Sequence, residues 1–139
     1  LMPVAGFMFD TTLALSRMLL NGFFERFTNL KIIASHGGGF LPFIHGRIDV
    51  FFDEETLVKM PVTMKPSEYL EERIFYDAIV YDKGALDLLI QVAGPEKVMF
   101  GTDQPMPNDV PKLKDIIESR PANEHEPILS SNAQRMFNL

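Results

Sequence analysis

Two short stretches end a hydrophobic run on a side chain that can do chemistry. In "KIIASHGGGF" (31–40) the apolar residues stop at His36, which runs straight into Gly37-Gly38-Gly39. In "KVMFGTDQPMP" (97–107) the same plan ends at Asp103, ahead of Pro105 and Pro107. An imidazole gives or takes a proton near neutral pH and can also ligate a metal. A lone histidine beside a buried strand is commonly a packed residue bonded to backbone. The strand-end position and the glycines, which let backbone approach a ligand closely, shift His36 towards function. Asp103 reads either as the cap of the next turn or as a hard oxygen ligand for a divalent metal, or a base holding a water.

Other residues carry weaker signals. Arg47 follows the His36 loop and could meet a substrate carboxylate through a bidentate contact. An ion pair with Asp49 or Asp53 is the plainer reading. Asp77, inside "IFYDAIV", reads first as a structural carboxylate at a strand end. His45 falls on a helical stretch and is expected on a helix face; His125 is expected to be solvated. The sequence has no G-x-S-x-G elbow, Walker loop or G-x-G-x-x-G. "HGGG" without a serine elbow does not make an esterase oxyanion loop.

The elements that must position these residues follow an alternating pattern. Asp10 is expected to cap a helix over "TTLALSRMLLNGFFERF" (11–27). "LKIIAS" (30–35), "RIFYDAIV" (73–80) and "KVMFG" (97–101) read as buried strands, with "LMPVAG" (1–6) a possible fourth. Pro42 opens a helix over "PFIHGRIDVFFDEE" (42–55), and 55–66, with Pro61 and Pro66, reads as a loop. Ser67 is expected to cap "EYLEE", and Asp82 to cap "KGALDLLIQVAG", which Gly94-Pro95 stops. Helices are expected near 109–119 and 123–137. Strands alternating with helices argue for βαβ units and a parallel sheet, with chemistry at the strands' carboxyl ends. The fold class expected is α/β, residues 1–139 forming a single unit.

Composition narrows the class further. The chain has 139 residues, 46% hydrophobic and 23% charged, ordinary values for a globular domain. Its net charge of −6 argues against nucleic acid or an anionic membrane as partner. With no cysteine, a metal must sit on His, Asp or Glu, and a reducing cytoplasm fits. No apolar run approaches the roughly 20 residues of a membrane span, and no signal peptide is visible. The first residue is Leu1 rather than Met, so the chain is expected to begin inside a longer protein.

With these residues in hand, the sequence resembles the amidohydrolase-related family typified by aminocarboxymuconate-semialdehyde decarboxylase, which includes γ-resorcylate-type decarboxylases. The resemblance is carried by "FERFTNLKIIASHGGGFLPFIHGRID", "IFYDAIVYDKGALDLLIQVAGPEKVMFGTDQPMP" and "SNAQRMFNL", in the family's order. It implies part of a (β/α)₈ TIM barrel, roughly strands five to eight with their helices, and one divalent metal, usually zinc. On that resemblance "KIIAS" is strand six, "RIFYDAIV" seven and "KVMFG" eight. His36 matches the strand-six acid/base histidine, Asp103 the strand-eight aspartate at the metal, and Arg47 an arginine near the substrate carboxylate. The family's first-strand His-x-His pair and its strand-five histidine have no counterpart here.

The leading expectation is a metal-dependent decarboxylase of a small unsaturated or aromatic carboxylic acid, acting as part of a longer enzyme. Hydrolysis of an ester, lactone or amide on the same barrel is the alternative, since fold does not fix reaction. A third reading is a non-catalytic half-barrel that associates with another chain. The expected partner is a second copy of this chain or a missing N-terminal half-barrel.

Overall fold

The computed structural model describes residues 1–53, 61–106 and 109–139. Its centre is a three-stranded parallel sheet in chain order: β1 (Ile32–Ala34), β2 (Ile74–Asp77) and β3 (Val98–Met99). The register pairs Ala34 with Tyr76 and Tyr76 with Val98. Around it lie α1 (Phe7–Leu20), α2 (Phe23–Arg26), α3 (Leu41–Asp53), α4 (Pro66–Glu72), α5 (Lys83–Ala93), α6 (Val110–Glu118), α7 (Ala122–Glu126) and α8 (Asn132–Phe137). The chain is thus α/β with a parallel sheet.

Strand alternation assigns the two sheet faces. Ala34, Ile74, Tyr76 and Val98 join Leu15, Leu19, Leu86 and Leu89 in one core beneath the helices. The opposite face carries Ile33, 40% exposed, beside its register partner Phe75. Lys31 and Lys97 reach over the Phe75 ring at 5.7 and 4.7 Å, their ammonium groups facing its π cloud.

The helix ends explain where the strands can start. Asp82 accepts from the Ala85 N–H at 3.0 Å and caps α5, and Gly94, at φ 81, ends it. Asp109 caps α6 in the same way, through the Lys112 N–H at 3.0 Å. Buried Asn132 closes the far side of β3, donating to Pro95 O and Val98 O at 2.7 Å each.

Four expectations are corrected. "LMPVAG" is not a strand: Met2–Gly6 coils as a wide π-helical turn in which the Val4, Ala5 and Gly6 amides converge on Leu1 O. The sheet therefore has three strands among the described residues. Because that turn feeds directly into α1, the helix starts at Phe7, and Asp10 lies exposed within its first turn instead of capping it. The helix expected over 11–27 is split, because Gly22 takes φ 66 between α1 and α2. Ser67 is no cap either. Pro66, whose fixed φ suits a first helical position, opens α4, while Ser67 N–H donates to Asp49 Oδ1 at 3.0 Å. Of the loop expected over 55–66, residues 55–60 lie outside the described residues.

Candidate active site

Each strand delivers one unusual residue just past its carboxyl end. His36 follows β1, Tyr81 follows β2 and Asp103 follows β3, at φ values of 54, 54 and 55. Non-glycine residues rarely adopt this left-handed conformation, and Asn138 at the C-terminus is the other example among the described residues. All three line a single cavity of about 940 Å³. Most of its wall is apolar, with Phe7, Phe40, Phe43, Val80 and Leu89 prominent.

The glycine run is dictated by crowding. A Cβ on Gly37 would come within 2.6 Å of Val80, on Gly38 within 2.8 Å of the Tyr76 ring, and on Gly39 within 2.5 Å of Met8 O. All three have positive φ. No side chain fits at any of these positions, so three elements close directly on the loop backbone. Thr12, buried in α1, fastens the loop's exit: its hydroxyl donates to Met8 O and accepts from the Phe40 N–H, both at 2.7 Å.

Asp77 fastens the loop's entrance. Its carboxylate accepts from His36 N–H and Gly37 N–H at 3.0 Å each and from Ile79 N–H at 3.1 Å. One carboxylate thus orients the His36 loop and the start of the Tyr81 segment together. This is the structural reading of Asp77. The His36 ring stacks on Phe7, centroids 6.5 Å apart, and its Nδ1 is buried with no hydrogen-bond partner. His36 is also part of the cavity wall.

Asp103 is exposed in the cavity wall, and its backbone carbonyl accepts from Met106 N–H at 2.9 Å. Burial pushes the Tyr81 phenol above its ordinary value of 10.0, and the negative charges of Asp103, Asp109 and Asp77 add to the effect. The Asp109 backbone opposes it. Tyr81 thus stays a neutral hydrogen-bonding group at neutral pH.

Sequence reasoning singled out His36 and Asp103, and the structure brings them to one cavity. Arg47 lies elsewhere, exposed on α3 with its guanidinium 5.3 Å from the Phe51 ring. Asp49 receives the Ser67 amide, and the Asp53 side chain lies outside the described residues. His45 Nδ1 pairs with Pro42 O at 2.9 Å, and the ring lines a separate cavity of about 380 Å³. His125 Nδ1 pairs with Arg120 O at 2.8 Å, so it is half-buried and partnered where a solvated residue was expected. Tyr81, Thr12 and Asn132 were missed; for Tyr81 the available signal was a bulky residue between a strand and the Asp82 cap.

Among the described residues, no three His, Asp or Glu side chains stand together as a set that could hold a metal ion. A catalytic zinc takes three protein ligands. His36 and Asp103 therefore do not form a complete metal centre by themselves.

The amidohydrolase sequence profile matches residues 3–139. The 2-amino-3-carboxymuconate-6-semialdehyde decarboxylase of Dictyostelium discoideum is 34% identical over 98% of this chain and 39% of its own length. The crystal structure of 5-carboxyvanillate decarboxylase from Sphingomonas paucimobilis superposes with a TM-score of 0.80 at 32% identity, covering 89% of this chain and 38% of that one. A dihydroxybenzoic acid decarboxylase from Polaromonas, solved with bound manganese and the inhibitor 2-nitroresorcinol, gives 0.79 at 27% identity, covering 92% and 40%. The chain spans about two-fifths of the length of these relatives.

Proposed function

The chain belongs to the amidohydrolase family, and on that premise we propose that it is the C-terminal part of a longer, metal-dependent decarboxylase of small unsaturated or aromatic acids. The observation that supports this most is the meeting of His36 and Asp103 on one largely apolar cavity, at the carboxyl ends of parallel strands. In this reading the sheet is part of a (β/α)₈ barrel, its three strands being the sixth to eighth, and residues 1–139 form one structural unit.

His36 is the proton donor. As the carbon–carboxylate bond breaks, its electron pair stays on the substrate carbon, the imidazolium gives that carbon a proton, and carbon dioxide leaves. Solvent then returns a proton to the ring. The apolar wall favours this direction, because it holds a concentrated carboxylate charge poorly and a dispersed one better. Asp103 is assigned as one oxygen ligand to a divalent ion, manganese or zinc, whose other ligands come from outside this chain. The described residues of this chain do not by themselves enclose that ion. Arg47 is assigned to the substrate carboxylate on the resemblance alone, as it lies outside the cavity wall.

Carbon dioxide release from a panel of aromatic and muconate-type acids, using the longer protein, tests the assignment. Release from at least one acid is expected. Hydrolysis products from esters, lactones or amides, with no carbon dioxide from any acid, would replace it with a hydrolase on the same site.

A further inference from the structure

Tyr81 is the residue the reaction above leaves unused. It lines the cavity with His36 and Asp103, and it holds φ 54 although it is a bulky aromatic residue. Asp, Asn and His enter this conformation with modest frequency, but a tyrosine there is an outlier. Such a residue carries backbone strain that a glycine would not. A strained residue persists where its surroundings over-determine it, and such positions cluster in ligand sites.

The surroundings here do over-determine it. Val80, its neighbour, packs against the Gly37 backbone so closely that a Cβ there would clash at 2.6 Å. Val80 N–H bonds back to Ala78 O at 2.9 Å, and Ile79 N–H is held by Asp77. On the far side, Asp82 is committed as the α5 cap. The chain is thus fixed on both sides of Tyr81, and the left-handed turn between the two anchors sets the ring in the cavity wall.

Against that wall a phenol is chemically conspicuous. Most of the lining is aliphatic or aromatic carbon, His36 and Asp103 being the other ionisable side chains. A neutral O–H that neither transfers a proton nor binds a cation can still read the substrate. Resting on the assignment of this cavity to a small carboxylic acid, we propose that Tyr81 is a specificity-determining residue. Its O–H donates to an oxygen substituent on the acid's skeleton and selects that acid over the bare hydrocarbon analogue. The Asp109 backbone amide donates to the phenol oxygen and leaves the O–H free to donate, so a ligand that lacks the substituent forgoes one hydrogen bond.

The test uses the longer holoenzyme and equilibrium binding, so it does not depend on turnover. Benzoate and its three monohydroxy isomers are titrated by calorimetry into the wild type, Y81F and Y81G. In the wild type the best-bound hydroxy isomer is expected to bind about five- to tenfold tighter than benzoate, the scale of one neutral hydrogen bond. Y81F should lose that preference while its benzoate affinity moves by less than about twofold, since the ring surface is kept. Y81G, which accepts a positive φ without strain, keeps the fold testable if Y81F misfolds and should lose the preference as well. No preference in the wild type, or a preference surviving in both variants, overturns the proposal. Carbon dioxide release is assayed on the same samples. Its absence would sink the decarboxylase assignment while leaving the Tyr81 preference standing or falling on the titrations.

Discussion

At the scale of single residues, the candidate site depends on side chains outside the cavity wall. Asp77 satisfies three backbone amides that surround the reacting end of the sheet. Truncating it leaves those donors without their acceptor, so D77A is expected to destabilise the longer protein by about 2–3 kcal/mol, read as a fall in its denaturant midpoint. D77N keeps the shape and one acceptor oxygen and should cost less. His36 and Asp103 should fail in different ways. H36A is expected to cut turnover by about 10²- to 10⁴-fold while keeping most of the bound metal, whereas D103A should lose metal on dialysis. Metal analysis beside steady-state rates separates them; full metal and near-normal rates in both variants would contradict the site.

At the scale of elements, α2 is tied to α4 and the segment before it by one carboxylate. Glu25 accepts from the Thr63 N–H at 2.9 Å, the Thr63 hydroxyl at 3.1 Å and the Tyr69 hydroxyl. Burial pushes the Glu25 carboxyl up, but these bonds outweigh it and hold it below the ordinary 4.5. A lowered folded value stabilises the fold fully above about pH 4.5, and the contribution is lost as pH falls through the lowered value. E25Q should therefore be less stable than wild type at about pH 7, with the difference shrinking as acid is added, measured as urea midpoints across that range. The same elements show what a linear sequence discloses. Asp82 and Gly94 bracket α5 as expected, because capping is settled within a few residues. The start of α1 was not legible. "LMPVAG" is apolar without a clear period, so its hydrophobicity fits a strand as well as a helix, and only the convergence of three amides on Leu1 O decides. His36 and Asp103 could be found because glycines or prolines flag the strand ends. Tyr81 carries only the weak signal of a bulky residue between a strand and the Asp82 cap, since its significance lies in a backbone angle.

At the scale of the whole molecule, the sheet is open. Among the described residues no strand pairs with the outer edge of β1, whereas Asn132 covers that of β3, and Ile33 stands 40% exposed on the face away from the helices. Around the cavity mouth Phe43 is 81% and Val4 76% exposed, while Phe9 is 59% exposed on α1 nearby. At roughly 25 cal/mol per Å², a few hundred Å² of such surface forfeits several kcal/mol. Native domains have only about 5–15 kcal/mol of net stability. The chain on its own is therefore expected to self-associate or to pair with the rest of the barrel. Sedimentation at micromolar concentration checks this, and a cooperatively folding monomer would contradict it. Among the described residues no helix is long and apolar enough to cross a membrane.

The carboxylate of Asp77 also bears on how such sites can be recombined. The segments 35–39 and 77–81 hang from one anchor and interlock where Val80 fills the space a Cβ on Gly37 would need. They form one interlocked structural unit. A chimera taking the first segment from one relative and the second from another could leave the amides of residues 36 and 37 without a carboxylate at 77, or set a side chain at 37 against Val80. Swaps that carry both segments together should fold, whereas single-segment swaps should fail far more often than their sequence divergence alone would suggest.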